Sequence, residues 1–230
     1  MLHLTLNSFV FLSTSLLLTF SHRLIFGLLE RVAARIAKRK QLPSRDCDKF
    51  KQEVHYCFMH SVHVLAGLFV LREERLLSLM SASMSPLHLI SFRESAASSL
   101  WNGYPNSHVR NRTFSAEFYY SWICSYWIFL LSHLMSAMAN RRIQIGNVLN
   151  GKSASKHLIN RLHELTRLRE AQERDHLLCI HHIATISLVF TSWIMNFHRI
   201  GLIIMVLMDV ADVFLNFAKV KYAIRLLKTN

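Results

Sequence analysis

The chain has 230 residues, of which 52% are hydrophobic and 18% charged, and its mean hydropathy is positive. This composition is unusual for a soluble protein of that length and indicates a membrane protein. The net charge of +13 does not indicate nucleic-acid binding, because the basic residues lie almost entirely between the apolar segments. The four cysteines are scattered and have neither disulfide nor zinc spacing.

The first half of the chain contains two predicted spanning helices. Leu4–Leu29 is apolar and lacks the basic start and small-residue cleavage site of a signal peptide, so it predicts an uncleaved spanning helix. A basic connector broken by Pro43 follows, and Val54–Leu71 is just long enough to span. Leu76–Phe92 is interrupted by serines and Pro86, which predicts an interfacial or re-entrant segment.

The second half contains three more predicted spans. They are Phe118–Ala139, Leu177–Phe197 and Ile200–Ala218, each close to the roughly 20 apolar residues that a bilayer requires. Between the first two lies a polar stretch, Asn140–Asp175, in which leucines recur at helical spacing and predict a surface amphipathic helix. The expected fold is therefore all-α, a polytopic membrane helix bundle with about five spanning helices.

One motif in the polar stretch points elsewhere. Gly146 to Ser153 matches the phosphate-loop pattern G-x-x-x-x-G-K-[ST]. That loop needs a buried strand before it and a helix after it, and a connector between two membrane helices leaves no room for a parallel sheet. We therefore expect no nucleotide hydrolysis.

The last two predicted spans carry polar side chains that lipid would reject unless they faced a shared interior. On the first of these spans, at 100° per residue, the polar side chains fall on one face of the helix: His181, Thr185, Ser192 and Asn196. On the second span a similar stripe is formed by Asp209, Asp212 and Asn216. Ionisable groups at membrane depth mark a functional site by default.

The residues from Arg174 to Tyr222 resemble the signature of ceramide synthases, the longevity-assurance enzymes of the TRAM/LAG/CLN8 superfamily. The similarity comprises a His-His pair followed by Thr, Leu, Ser, Asn, Arg and Gly, then Asp-x-x-Asp and Ala-Lys: His181-His182, Thr185, Leu188, Ser192, Asn196, Arg199, Gly201, Asp209, Asp212 and Ala218-Lys219. Met208 before the first aspartate is similar to the fungal members. Trp193 departs from the tyrosine that is usual in the family.

The resemblance implies an acyltransferase, a sphingosine N-acyltransferase that joins acyl-CoA to a sphingoid base. It implies that His181 and His182, with Asp209 and Asp212, form the catalytic centre, one histidine acting as acyl-accepting nucleophile or general base. Histidine suits either role because its pKa lies near neutrality, and an aspartate beside it fixes the tautomer. Substrate-binding roles are implied for Thr185, Ser192 and Asn196. Acyl-CoA is the expected co-substrate, with no other cofactor.

We expect no metal site. Membrane di-iron hydroxylases need H-x-x-x-H and H-x-x-H-H clusters, and the spacing from His176 to His181-His182 is different. His60-x-x-His63 is a single pair of histidines. We expect His60 and His63, like His55 and His133, to be satisfied residues of the bundle core.

The expected organisation is an N-terminal spanning helix with its basic connector, residues 1–53, followed by a TLC-like membrane domain, residues 54–230, that contains the signature 174–222. The resemblance implies further membrane helices after the signature, and only LLKTN follows Arg225. The domain is therefore expected to be shortened at its C-terminus. This gives weight to an alternative hypothesis, a non-catalytic lipid-binding or regulatory membrane protein on the same scaffold.

Basic residues predict the orientation in the membrane. They concentrate in the connector after the first span, in Asn140–Asp175 and in the tail after Ala218, which places those segments in the cytosol and the N-terminus in the lumen. The family resemblance implies the endoplasmic reticulum membrane. Expected partners are acyl-CoA, the sphingoid base and the bilayer, with a homo- or heterodimer or a small accessory subunit as further possibilities, and no nucleic acid.

Overall fold

The structure is a computed structural model that describes residues 2–39, 44–74, 76, 101, 104, 113–150 and 158–226. Those residues form five α-helices and no strand: α1 Leu2–Arg39, α2 Ser44–Glu73, α3 Phe114–Leu149, α4 Leu158–Ile194 and α5 His198–Leu226. All five are long and apolar enough to cross a membrane. The predicted all-α, multi-pass membrane fold is confirmed.

The helices extend beyond the apolar segments that predicted them. The amphipathic segment within Asn140–Asp175 does not form a separate surface helix, because α4 runs unbroken from Leu158 through the signature to Ile194. No proline or glycine lies within this range to end the helix earlier. The predicted interfacial segment Leu76–Phe92 falls outside the described residues except for Leu76.

The phosphate-loop motif begins inside a helix. Gly146 belongs to the last turn of α3, and its carbonyl accepts the N–H of the C-cap residue Asn150 at 3.0 Å. A phosphate loop instead leaves a strand at this point of its pattern. Lys152 and Ser153 lie outside the described residues.

The central helix of the bundle is α3, which packs against α1 and α4 and also touches α2 and α5. The largest buried cluster forms around one stretch of this helix, where the aromatic rings of Tyr119 and Tyr120 meet Leu71 of α2, Trp193 of α4 and Leu202 of α5. Helix α5 packs chiefly on α2, and α4 packs chiefly on α3. The very short turn near His198-Arg199 predicts from the sequence that the two signature helices pack as an antiparallel hairpin. The structure contradicts this prediction, because α4 and α5 each pack chiefly on another helix.

The physical reason lies in the short turn between α4 and α5. Asn196 has a φ of 59°. The N–H of Phe197 donates to the carbonyl of Ser192 at 2.9 Å, and the N–H of Asn196 donates to the carbonyl of Trp193 at 3.3 Å. These bonds form a Schellman motif, with asparagine at the position that requires a left-handed backbone. The turn fixes the ends of the two helices but leaves their faces free to pack on other neighbours.

Candidate functional site

A short polar contact between buried side chains joins α5 to α2. Oδ1 of Asp209 lies 2.7 Å from Nδ1 of His60 and 3.7 Å from Nδ1 of His63. All three residues are buried. With Nδ1–H donating to the carboxylate, His60 keeps the lone pair on Nε2, which is the state of a general base held in one tautomer.

A glycine permits this close approach of α2 and α5. A Cβ at Gly67 would clash with the side chain of Val206 and would lie 2.7 Å from the hydroxyl of Tyr119. Gly67 is about one turn of α2 beyond His63, and Val206 is about one turn of α5 before Asp209. The missing side chain at Gly67 therefore brings together the segments that carry the histidines and the aspartate.

The second predicted aspartate lies at the edge of the same cluster. Oδ2 of Asp212 is 3.9 Å from Nδ1 of His60, and its side chain is about one third exposed. If α4 and α5 formed a hairpin, the helical rise from the turn would bring Asp212 within reach of His181 or His182 and set Asp209 deeper, and this pairing is the one the sequence predicts. Instead both aspartates face α2, since that is the helix on which α5 packs, and this corrects the expected pairing.

The signature histidines occupy a neighbouring position on α4. His182 is buried and His181 is exposed on the surface of the bundle. The indole ring of Trp127 on α3 lies 5.2 Å from the imidazole of His182, 5.9 Å from that of His181 and 6.3 Å from that of His60, centroid to centroid. Trp127 thus contacts both histidine groups, and no hydrogen bond or ion pair among the described residues joins His181 or His182 to either aspartate.

Both groups lie in the same half of the bundle. The basic ends of the helices are marked by the ion pairs Lys51–Glu30, Lys219–Glu53 and Arg141–Asp175. His60 lies roughly 10 Å from Glu53 along α2, Asp209 roughly 15 Å from Lys219 along α5, and His182 roughly 10 Å from Asp175 along α4, at the helical rise. A substrate whose charged head group stays at that face could reach all three side chains.

The three residues with predicted substrate-binding roles are spread along α4. Thr185, near the histidines, donates its hydroxyl to the carbonyl of His181 at 2.9 Å. Ser192 lies near the other end, where its hydroxyl is 2.9 Å from that of Tyr120 and donates to the carbonyl of Phe197 at 3.3 Å. Asn196 forms the turn into α5. The structure brings Thr185 to the histidines and gives Ser192 and Asn196 positions that fix the turn.

A group of buried histidines surrounds the fully buried Tyr126, and this group was not predicted. The imidazoles of His22, His55, His60 and His63 have centroids 5.5, 6.1, 5.7 and 4.7 Å from that of Tyr126. Both ring nitrogens of His55 and His63, and the hydroxyl of Tyr126, are buried and have no hydrogen-bond partner in the part of the chain that the structure describes.

His55 and His63 lie in the bundle core as expected. The expectation that their ring nitrogens are hydrogen-bonded is wrong among the described residues, although His63 lies 3.7 Å from Asp209. His133, also expected in the core, is exposed on α3. His60 is satisfied, but by a carboxylate that sequence reasoning had assigned elsewhere. The available signal was the density of histidines on a single apolar helix, which an ordinary lipid-facing segment does not carry.

Residues 49–229 match the TLC domain of the TRAM/LAG1/CLN8 family. No curated protein matches the chain, and no solved structure matches it either.

Proposed function

The chain belongs to the TLC domain family, and we propose that it is a ceramide synthase that transfers an acyl group from acyl-CoA to a sphingoid amine. The proposal places it in the endoplasmic reticulum membrane, with its N-terminus in the lumen and its C-terminus in the cytosol. Homo- or heterodimers, or a small accessory subunit, belong to the same proposal.

One observation carries the proposal most directly. A buried carboxylate hydrogen-bonded to an imidazole, Asp209 with His60 at 2.7 Å, lies beside the buried imidazole of His182, and one indole ring contacts both. Buried ionisable groups inside a membrane bundle are costly and mark functional sites. Two of these residues, His182 and Asp209, belong to the signature.

The reaction needs a base that deprotonates the amine and a side chain that accepts or positions the acyl group. The amine nitrogen forms a bond to the thioester carbonyl carbon, the carbon–sulfur bond breaks, and the amine proton passes to a base and then to the departing thiolate. In this direct route an imidazole of the pair His181-His182 serves as the base. In the two-step alternative an imidazole nitrogen first bonds to the carbonyl carbon as the carbon–sulfur bond breaks, and the amine then displaces the imidazole from the acyl group. Asp209 accepts a hydrogen bond from His60 and so holds that imidazole in place near the pair.

The competing function is lipid binding or regulation without catalysis. One observation favours it: among the described residues, the aspartates are paired with His60 on α2 and not with the signature histidines on α4. In that case the polar cluster would hold a lipid head group without transferring an acyl chain. The two functions differ in whether a new amide forms.

The test is an assay for ceramide formation. Membranes from a host without its own ceramide synthases, carrying this protein, receive acyl-CoA and a labelled sphingoid base. We expect labelled ceramide from the wild type and none from the double variant His181→Ala/His182→Ala, at equal protein content in the membrane. Lys152→Ala is the control and should leave the rate unchanged, because the phosphate-loop pattern begins inside α3. Ceramide formation by the double variant, or none by the wild type, would reject the assignment.

A further inference from the structure

We propose that His60, His63 and Asp209 form a binding site for one divalent transition-metal cation of the zinc class, bridging α2 and α5. This goes beyond the proposed acyl transfer and departs from the sequence-based expectation of no metal. The sequence offered only the pair His60-x-x-His63, and the third ligand comes from a helix far along the chain.

The geometry of the three side chains fits such a cation. One ring nitrogen of His60, one ring nitrogen of His63 and a carboxylate oxygen of Asp209 all lie within 4.8 Å of one another. A tetrahedral zinc ion with ligand distances near 2.0–2.1 Å needs its ligand atoms ~3.3 Å apart. The observed separations from Asp209 Oδ1, 2.7 Å to His60 and 3.7 Å to His63, lie on either side of that value. Seating the ion takes small side-chain movements and the tautomer of His60 that carries its proton on Nε2, so that Nδ1 offers its lone pair to the metal and no longer donates to Asp209.

The electrostatics of the cluster also favour a cation. His63 is completely buried, yet neither of its ring nitrogens has a hydrogen-bond partner. A buried polar group without a partner destabilises the fold, and a bound ion removes that penalty by accepting the nitrogen lone pair. Asp209 adds a buried carboxylate in a membrane helix, where an uncompensated charge is costly. A divalent cation would engage Nδ1 of His63 and compensate the carboxylate at the same time.

The donor set indicates the class of metal. Two imidazoles and one carboxylate suit zinc and related transition metals, whereas magnesium and calcium prefer sites made wholly of oxygen ligands. Three protein ligands leave a fourth tetrahedral position, as in zinc sites that bind water or substrate. The adjacent carboxylate of Asp212, 3.9 Å from His60, adds negative charge at the rim.

His55 provides a matched control on the same helix. Like His63, it is buried, contacts the ring of Tyr126 and has two ring nitrogens without a hydrogen-bond partner among the described residues. Unlike His63, it is not part of the group that includes a carboxylate oxygen. Loss of metal on replacing His63 but not His55 would therefore identify the site and exclude a general effect of removing a buried histidine.

The experiment measures metal in the full chain, purified without chelator by an affinity tag that contains no histidine and reconstituted in lipid nanodiscs. Elemental analysis should find one zinc-class ion per chain in the wild type and in His55→Ala, and background amounts in His63→Ala and His60→Ala. After the metal is stripped, added cobalt(II) should give the visible absorption of a four-coordinate site in the first two proteins only. Circular dichroism checks the helix content of every variant.

Three results would overturn the proposal. In the first, the wild type holds no stoichiometric metal and takes up no cobalt. In the second, His63→Ala keeps its metal. In the third, His55→Ala loses as much metal as His63→Ala does. The wild-type cobalt titration decides the matter even if the variants misfold. Because the assay contains neither acyl-CoA nor sphingoid base, its failure is distinct from failure of the proposed acyl transfer.

Discussion

The backbone of Asn196 has a φ of 59°, a conformation that glycine and asparagine adopt far more readily than other residues. We therefore expect Asn196→Gly to leave the thermal unfolding midpoint in detergent nearly unchanged. A β-branched residue is strained there, so Asn196→Val should lower the free energy of unfolding by about 1–2 kcal/mol.

The same pair of variants separates a conformational role of Asn196 from the substrate-binding role that the family resemblance implies. A conformational role predicts that Asn196→Gly forms ceramide at the wild-type rate. Loss of ceramide formation by Asn196→Gly, with an unchanged unfolding midpoint, would show that the side chain itself is needed and would contradict a purely conformational role.

The two aspartates of α5 differ in how much the fold depends on them. Asp209 is buried and accepts a hydrogen bond from His60 at 2.7 Å, whereas Asp212 is about one third exposed and lies 3.9 Å away. Asp209→Ala leaves a buried imidazole without its acceptor and should lower the free energy of unfolding by about 1–3 kcal/mol.

Asp212→Ala is the matched change in the same helix, and it should cost less than about 1 kcal/mol because its ion pair is longer and partly solvated. Thermal unfolding of both variants in the same detergent provides the measurement. A larger loss for Asp212→Ala than for Asp209→Ala would show that the pairing with His60 is not the one that stabilises the bundle.

At the scale of single residues, the sequence indicated which types of side chain matter but not all of their partners. Asp209 and Asp212 were recognised as an interior stripe because charge inside an apolar helix is costly. Their partner His60 could not be found from spacing, because the two residues lie on helices that are distant in the chain and meet only through packing. His22, which contacts Ser125 at 2.9 Å across two helices, illustrates the same limit.

At the scale of elements, the contact between α2 and α5 depends on Gly67. A methyl group at this position would clash with Val206 and the hydroxyl of Tyr119, and both helices would have to move apart. Overpacking of this kind typically costs about 1–3 kcal/mol, so we expect Gly67→Ala to lower the unfolding free energy by a similar amount. The displacement should also lengthen the contact between His60 and Asp209 and reduce ceramide formation.

Gly27 on α1 is the control for this substitution, because a Cβ there meets nothing within 4 Å. Gly27→Ala should be neutral or slightly stabilising, since alanine is the better helix former. The comparison uses thermal unfolding together with the ceramide assay. Equal effects of the two substitutions on both measurements would argue against close packing at Gly67.

The elements themselves were largely predictable, because an apolar segment of about 20 residues has few alternatives to a spanning helix. Their ends were not, since α3 and α4 continue past the apolar segments, where charged residues are compatible with helix. The packing of α5 on α2 was also not predictable. A short connection such as the one at Asn196 fixes where two helices meet, and the fit of side chains such as Gly67 to Val206 decides which faces pack.

At the scale of the whole molecule, five helices of the described residues are long and apolar enough to cross a membrane. Our proposed topology, in which these five are the spans, puts the N-terminus and the C-terminus on opposite sides of the membrane. The helix ends that carry the basic residues lie on one side of the bundle. Lys51–Glu30 joins the start of α2 to α1, Lys219–Glu53 joins the last part of α5 to α2, and Arg141–Asp175 joins the last part of α3 to α4. Basic residues are retained on the cytosolic side of membranes. In the proposed orientation the histidines and aspartates lie nearer the cytosolic face, which is where the proposed acyl-CoA co-substrate would bind.

Labelling of introduced cysteines tests this orientation, in a background from which the four native cysteines have been removed. Lys38→Cys at the end of α1 and Arg142→Cys near the end of α3 are exposed positions on the predicted cytosolic side. In sealed microsomes both should react with a membrane-impermeant maleimide. Ser107→Cys, in the connection between α2 and α3, should react only after the membrane is permeabilised.

Reaction of Ser107→Cys in intact microsomes, together with protection of the other two cysteines, would show the opposite orientation. Reaction of all three would instead change the number of spans, with Leu76–Phe92 as the segment that crosses.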